Sequence, residues 1–204
     1  MSSASPDPAH PFASRGGLKL RHALDAFAFD PRGLTCADLG CNVGGFADCL
    51  LRAGASKVYA VDTGYGALAW KLRTDPRIVV MERANALHVL PPARVDLVVI
   101  DMGWTPQRLC IPAALKWLKP LPTSRILSLI KPHYEQTPSP GPPRPRETIL
   151  PDDAAQKIVE RVLSHMPSLG ATVLNCTRSP IRGGASKGNK TGNAEWLALL
   201  APSF

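Results

Sequence analysis

Apolar residues along the chain occur in two patterns, short continuous runs and helical spacings, and the two patterns alternate. The runs predict buried β-strands at residues 34–39, 57–61, 77–81, 95–100, 125–130, 171–176 and 194–200. The helical spacings predict helices at residues 17–28, 46–54, 106–118 and 152–166. Strands that alternate with helices need crossover connections, so the expected fold class is α/β with a doubly wound, mostly parallel sheet.

Prolines mark two segments outside this pattern. Seven of the 21 prolines lie within residues 132–151. Because proline fixes φ and lacks a backbone donor, a proline-rich loop is expected there. Three more prolines within residues 1–13 predict a mobile N-terminal tail. One folded domain is therefore expected over residues 14–204, a length that suits a single domain.

Composition limits the classes of protein to which the chain can belong. Hydrophobic residues make up 45% of the 204 residues, enough to bury a large core. No run approaches the roughly 18 uncharged apolar residues that cross a bilayer, and the first residues lack the pattern of a secretory signal. Five scattered cysteines without a C-x-x-C pair argue against a disulfide scaffold and a zinc ribbon. A cytoplasmic protein with no membrane partner and no metal is expected.

A glycine-rich turn with the sequence DLGCNVGGF (residues 38–46) follows the first predicted strand, at the edge where open α/β sheets bind ligands. Asn42 stands where a dinucleotide fingerprint needs glycine, which leaves the spacing D-x-G-x-x-x-G. Asp62 ends the second strand, where a carboxylate can accept both ribose hydroxyls, and Asn85 follows the third strand, where it can bond an adenine edge. This set favours S-adenosylmethionine over a nicotinamide cofactor. The glycines alone would equally serve a tight turn.

Several short motifs spread over residues 14–200 carry more specific information. They are SRGGLKL (14–20), VYAVDTGYG (58–66), AWKLR (69–73), ERANA (82–86), LIKP (129–132) and KGN with GNAE (187–195). Together they resemble the FtsJ-like RNA ribose methyltransferases, and among these the hemolysin A (TlyA)-type branch. The resemblance implies a Rossmann-like methyltransferase sheet with an antiparallel C-terminal strand, S-adenosylmethionine as cofactor and ribosomal RNA as substrate. It also implies that the branch's small N-terminal RNA-binding domain is lacking, since 13 residues precede Ser14.

The resemblance also implies a catalytic tetrad of two lysines and two carboxylates. Carried over motif by motif, the tetrad falls on Lys19, Asp101, Lys131 and Glu195. Taken singly, such residues are more often surface charges or helix caps, but two of them end apolar strands at the edge where sites form. The candidate cofactor-binding residues are those of the glycine-rich turn together with two strand-end residues and Asp101, namely Asp38, Gly40, Asn42, Gly44, Gly45, Phe46, Asp62, Asn85 and Asp101.

Two roles stay open for Lys131. A nearby Lys19 together with burial would lower the pKa of Lys131, so that the neutral amine acts as general base. Alternatively, a charged Lys131 stabilises the alkoxide while solvent takes the proton.

Positive charge suggests an RNA surface. The chain has 24 Lys and Arg against 16 Asp and Glu, a net charge of +8, and phosphate contacts give salt-dependent affinity. No acidic residue stands between residues 176 and 194, so this basic loop before Glu195 is expected to guide RNA. The candidate RNA-binding residues are Arg15, Arg178, Arg182, Lys187 and Lys190. Trp104 and Tyr134 are candidates to stack a target base, with core packing or loop anchoring as the alternative.

The sequence thus predicts an S-adenosylmethionine-dependent RNA 2′-O-methyltransferase that acts on ribosomal RNA or a ribosomal subunit. One alternative is a methyltransferase for another acceptor, such as a base nitrogen, although residues 101–104 lack the N/D-P-P-Y/F motif. The other alternative is a non-catalytic RNA-binding protein on the same fold. A protein partner is left open.

Overall fold

A computed structural model describes residues 11–136, 149–184 and 192–203 of the chain. Within them, seven strands form one sheet in the order β3-β2-β1-β4-β5-β7-β6. Only β7 runs antiparallel, and it pairs with β5 and β6. The expected fold class, including the antiparallel C-terminal strand, is confirmed. The strands are β1 (Thr35–Leu39), β2 (Lys57–Val61), β3 (Ile78–Met81), β4 (Leu97–Ile100), β5 (Arg125–Ile130), β6 (Ala171–Arg178) and β7 (Trp196–Pro202).

Helices cover both faces of this sheet. They are α1 (Gly16–Ala26), α2 (Gly45–Arg52), α3 (Trp70–Arg73), α4 (Gln107–Leu115) and α5 (Asp152–His165), with short 3₁₀ helices at Pro132–Tyr134 and Met166–Leu169. The predicted bounds of β2 and β5 agree with the structure residue for residue, whereas the last strand begins two residues later than predicted. No apolar spacing predicted the four-residue α3.

The central strand β4 shows why both faces are covered. All four of its residues are fully buried. Leu97 and Val99 belong to the hydrophobic cluster with α1 and α2, and Val98 and Ile100 belong to the cluster with α4 and α5. A strand buried on both faces reads as a continuous apolar run, which is the signal that revealed it in the sequence. No helix in the described ranges is both long enough and apolar enough to cross a membrane.

Parts of the two proline-containing segments, 1–13 and 132–151, are folded. Phe12 is buried, and the backbone N–H of Ala13 donates to Asp48 Oδ2 at 2.7 Å, so these two residues pack on the domain rather than belonging to the expected tail. The expected loop 132–151 begins with the 3₁₀ helix and ends at the buried Leu150. Residues 1–10 and 137–148 lie outside the described residues.

Gly40 ties the end of β1 to the end of β4. Its φ is +90°, and a Cβ there would lie 2.8 Å from the carbonyl oxygen of Asp101. A second glycine with positive φ, Gly66 (+71°), has open space around it. We therefore expect Gly40→Ala to lower the free energy of unfolding by about 1–3 kcal/mol more than Gly66→Ala. Urea denaturation of both variants measures the difference, and equal losses would contradict the close approach of the two strands.

Candidate active site

A cavity of about 660 Å³ opens at the carboxyl edge of the sheet. The ends of β1, β2, β4 and β5, the start of β7 and the first turn of α1 all contribute to its wall. Eleven of the predicted catalytic and cofactor residues line it, namely Lys19, Asp38, Gly40, Asn42, Gly45, Phe46, Asp62, Asn85, Asp101, Lys131 and Glu195. The sequence-based set is therefore brought together at one place, with Gly44 as the exception.

Asp38 is a fully buried carboxyl group at the end of β1. Its Oδ2 accepts a hydrogen bond from the N–H of Ala47 at 2.9 Å, while its buried Oδ1 has no partner among the described residues. Burial raises the pKa of Asp38 well above its usual value, and the nearby Asp101 carboxylate raises it further. Because buried polar atoms are normally bonded, Oδ1 fits a donor group on a ligand in the cavity.

Asp62 presents a carboxylate whose position is fixed by the backbone. Its Oδ2 accepts from the N–H of Asn42 at 2.9 Å and its Oδ1 from the N–H of Gly64 at 2.7 Å. Each oxygen has further acceptor capacity, as two ribose hydroxyls would require. Asn85 lines the same cavity, but its Oδ1 already accepts the N–H of Leu87 at 2.9 Å.

The glycine turn serves packing within the protein. A Cβ on Gly45 would lie 2.2 Å from Ser14 Oγ and 2.9 Å from the backbone nitrogen of Gly17, where α1 begins. A Cβ on Gly44, which has a φ of +98°, would lie 2.3 Å from Leu72 Cδ1. Gly44 therefore packs against protein instead of lining the cavity. A structural role, in which glycine allows the tight turn between β1 and α2, therefore explains both Gly44 and Gly45.

The four predicted tetrad residues form two ion pairs that face the same cavity. Lys19 Nζ lies 2.5 Å from Glu195 Oε2, and both side chains are buried. Lys131 Nζ lies 2.6 Å from Asp101 Oδ1 and 3.4 Å from the carbonyl oxygen of Met102. Buried charges persist in proteins when they are paired in this way.

The surroundings of Lys131 favour its charged form. Burial alone would lower the pKa of Lys131, but the attraction of Asp101, and also of Glu195, outweighs burial and raises this pKa above 10.5. The expectation that Lys19 and burial lower the pKa of Lys131 is therefore wrong in direction, because the Asp101 carboxylate faces the ammonium. Burial raises the pKa of Glu195, although Lys19 and Lys131 oppose this shift.

Two residues close to the predicted tetrad were missed by the sequence analysis, Gly183 beside Glu195 and His133 in the cavity wall. Gly183 lies directly over the Glu195 carboxylate, since a Cβ there would be 1.7 Å from Oε1. Its N–H donates to the carbonyl oxygen of Asn193 at 2.9 Å, and the N–H of Asn193 donates back at 2.8 Å. Burial and the two lysines lower the pKa of His133 to about 4, so its imidazole is neutral. A glycine in a Gly/Ser-rich loop and a histidine beside proline carry no sequence signal for such roles.

The predicted RNA-binding arginines are paired with an acid that is distant in sequence. Both Arg178 and Arg182 contact the Asp152 carboxylate at the start of α5, and the Arg182 contact is 2.8 Å. Arg15 donates to the carbonyl oxygen of Arg182 at 3.1 Å. The expectation of a basic segment without an acid is thus corrected, because folding brings Asp152 to it. The predicted Lys187 and Lys190 lie outside the described residues.

Comparison with known proteins gives the family. The FtsJ-like methyltransferase family matches residues 12–188, which is most of the chain. The chain belongs to the FtsJ-like methyltransferase family.

Relatives of this FtsJ-like chain are found among bacterial proteins. It is 36% identical over 192 residues to the 16S/23S rRNA (cytidine-2'-O)-methyltransferase TlyA of Mycobacterium tuberculosis, covering 93% of this chain and 68% of that one. It is 36% identical to YqxC of Bacillus subtilis, a candidate rRNA methyltransferase, over 93% of this chain and 65% of YqxC. The crystal structure of a candidate hemolysin from Lactococcus lactis superposes on this chain with a TM-score of 0.80 at 37% identity. The match covers 93% of this chain and 88% of the hemolysin chain. The FtsJ-like chain spans about two-thirds of the length of the two curated relatives.

We expect the contact between Gly183 and Glu195 in this FtsJ-like chain to appear as an energetic coupling. Gly183→Ala should lower the free energy of unfolding by about 1–3 kcal/mol because the added methyl group collides with the carboxylate. In a Glu195→Ala background the same change should cost almost nothing. Gly103→Ala is the matched control, since a Cβ at Gly103 meets nothing within 4 Å. Additive losses in this denaturation cycle would contradict the contact.

The charge state of Lys131 in the FtsJ-like site should depend on Asp101. Asp101→Asn removes the main attraction and leaves burial, so the pKa of Lys131 should fall. Because the wild-type pKa is raised, the pair stabilises the fold below the unfolded-state pKa of about 10.4, and this stabilisation is lost as pH rises through the folded-state value.

NMR titration of ¹³C-labelled lysine side chains measures this pKa directly. The control is Asp25→Asn, which removes an exposed partner of Arg21 on α1. An unchanged Lys131 titration in Asp101→Asn would show that another group sets its charge.

Proposed function

We propose that this chain is an S-adenosylmethionine-dependent RNA 2′-O-methyltransferase that acts on ribosomal RNA. The observation that carries the proposal is a set of two lysine–carboxylate ion pairs facing one cavity, the half-buried Lys131–Asp101 at 2.6 Å and the buried Lys19–Glu195 at 2.5 Å. The similarity to TlyA, a 16S/23S rRNA (cytidine-2'-O)-methyltransferase, supports the same substrate class. The 2′-hydroxyl of a cytidine in ribosomal RNA is thus the first acceptor to test.

The donor set of the cavity fits the proposed cofactor. Asp62 would accept the two ribose hydroxyls, and the unpartnered Oδ1 of Asp38 would accept a donor of the amino-acid end. Asn85 would contact the adenine through its amide nitrogen, since its oxygen is already bonded. When bound, S-adenosylmethionine supplies an electrophilic methyl group on a sulfonium.

Lys131 acts in this proposal as an ammonium group. An ammonium has three hydrogens; Asp101 and the carbonyl oxygen of Met102 accept two of them. The third can be donated to the ribose 2′-oxygen. As the hydroxyl proton passes to solvent, Lys131 stabilises the negative charge that develops on the 2′-oxygen. That oxygen would then form its bond to the methyl group while the methyl–sulfur bond breaks, which leaves a neutral thioether. Asp101 orients the ammonium, and the Lys19–Glu195 pair keeps the second lysine away from it.

The experiment that tests the proposal uses the chain, labelled S-adenosylmethionine and bulk RNA. A methyl group on the 2′-oxygen blocks alkaline hydrolysis of the adjacent phosphodiester bond, so label is expected in alkali-resistant dinucleotides. Label in mononucleotides would instead identify a base methyltransferase. Cofactor binding without any transfer would support the non-catalytic RNA-binding alternative and overturn the proposal.

Replacement of Lys131 should separate chemistry from binding. Lys131→Ala is expected to lower kcat by about 100-fold or more, since it removes the charge that stabilises the transition state. The fold and the Kd for S-adenosylmethionine should change little.

The matched control is Lys57→Ala. Lys57 is exposed at the first residue of β2, on the edge of the sheet opposite the cavity. Calorimetry gives the Kd and the alkali-resistance assay gives kcat. Near-normal turnover in Lys131→Ala would exclude the tetrad from the reaction.

The proposed substrate also implies the protein's partners. Ribosomal RNA, free or within a subunit, is the proposed partner, and Arg15 remains a candidate contact beside the cavity. A cytoplasmic location is part of the same proposal, and the five cysteines are all free thiols, as a reducing compartment would leave them.

A further inference from the structure

A second cavity lies beside the first and shares a wall with it. It measures about 530 Å³ and lies between the first turn of α4, the 3₁₀ helix Pro132–Tyr134 and the end of α5. Trp104 and Tyr134 line both cavities. A molecule that fills the first cavity and extends past these two rings therefore enters the second.

The shared wall is built from two aromatic rings in an unusual position. The ring centroids of Trp104 and Tyr134 are 5.1 Å apart. Trp104 is 84% exposed and has a φ of +61°, a conformation that costs a non-glycine residue energy. Such strain concentrates at ligand-binding sites. An exposed indole held in this way offers a flat face to a flat ligand.

The second cavity combines apolar surface with positive charge. Val162 and Leu169 supply apolar side chains, and Arg108 and Arg161 supply two guanidinium groups. Glu135 is the acid in this wall, and its carboxylate accepts the N–H of Gln107 at 2.7 Å. Burial raises the pKa of Glu135, although the N–H of Gln107 and the two arginines oppose this shift. The two guanidinium groups outnumber this one carboxyl group. The local charge is therefore positive, and this combination suits a heterocyclic base with its phosphate.

We propose that the second cavity binds the base and phosphate of the nucleotide next to the one that is methylated. The inference rests on the proposed function, because the acceptor ribose must lie at Lys131 in the first cavity. The neighbouring nucleotide is joined to the acceptor nucleotide by a phosphodiester bond, and it then lies at the wall formed by Trp104 and Tyr134. RNA is favoured over a protein ligand because it alone continues from the first cavity into the second. The second cavity would thus select the sequence context of the target.

Blocking the second cavity tests this proposal. Ser168 is exposed at its wall, and its hydroxyl donates to the carbonyl oxygen of His165 at 2.7 Å. Ser168→Trp should fill the cavity and raise the KM for protein-free ribosomal RNA about tenfold or more, the loss of one stacked base. The kcat at saturating RNA and the Kd for S-adenosylmethionine should stay unchanged.

The control for this substitution lies one turn earlier. Ser164 is exposed on α5, and its hydroxyl makes an equivalent bond to the carbonyl oxygen of Arg161 at 2.8 Å, but it does not line the cavity. Ser164→Trp should therefore leave the KM unchanged. Mapping the methylated positions should also show that Ser168→Trp relaxes the preference at an adjacent nucleotide, which a merely structural change would not do.

Arg108 provides a second, electrostatic readout. If it contacts one phosphate, Arg108→Ala should reduce the slope of log K against log salt by about 0.7, the value for single-stranded nucleic acid. Arg32→Ala is the control, because Arg32 is exposed between α1 and β1 and lines neither cavity. Fluorescence anisotropy with labelled RNA oligonucleotides measures both slopes.

Each outcome separates this inference from the proposed function. If the wild-type chain transfers no methyl group to RNA, the proposed function fails and this inference fails with it. If the wild type is active and Ser168→Trp equals Ser164→Trp, only the nucleotide pocket is overturned. A loss confined to assembled ribosomal subunits, with normal activity on protein-free RNA, would assign the cavity to a protein and also overturn the inference.

Discussion

Pairing of buried charge is the constraint on which the active-site edge depends. Removing an ion from water costs several kcal/mol even after relaxation, so the buried Lys19 and Glu195 require each other. The same pairing holds Lys131 against Asp101 at 2.6 Å and raises the pKa of the lysine. Breaking the Lys19–Glu195 pair would leave a buried charge without its partner, which costs more than the pair contributes when intact.

The antiparallel strand β7 makes this pairing possible. In a parallel sheet the ends of β4 and β5 deliver Asp101 and Lys131 to the carboxyl edge. A further parallel strand would begin at the opposite edge, far from them. Because β7 is antiparallel to β5, its first residue Trp196 lies opposite Ile130, the last residue of β5. Glu195, which precedes β7, therefore meets the edge at which β5 ends, and α1 brings Lys19 to it.

Local sequence patterns were sufficient for the fold class, and together with the family resemblance they named candidate site residues that the structure brings to one cavity. They did not predict the electrostatics of these residues. The runs 57–61 and 125–130 end where the strands end because burial on both faces favours apolar residues inside them. The buried exception in β5, Ser128, donates its hydroxyl to Gln107 Oε1 at 2.6 Å. The charge of Lys131 was predicted in the wrong direction in one of its two roles, since the pattern does not say which carboxylate faces which lysine. Likewise, Asp152 reaches Arg182 only through the packing of α5, and Gly183 matters only because Glu195 lies beneath it.

The balance of charge in the cavity bears on the direction of the proposed reaction. The carboxylates of Asp101 and Glu195 are offset by their lysine partners, and burial raises the pKa of Asp38. Asp62 lines the cavity and makes no ion pair among the described residues, so its carboxylate is not offset. A carboxylate attracts a cation, and a sulfonium carries a positive charge that the thioether left after methyl transfer lacks. Asp62 would therefore hold the cofactor more strongly than the spent product, which favours exchange of the two. The Lys19–Glu195 pair meanwhile leaves the acceptor ribose a single ammonium, that of Lys131, to contact.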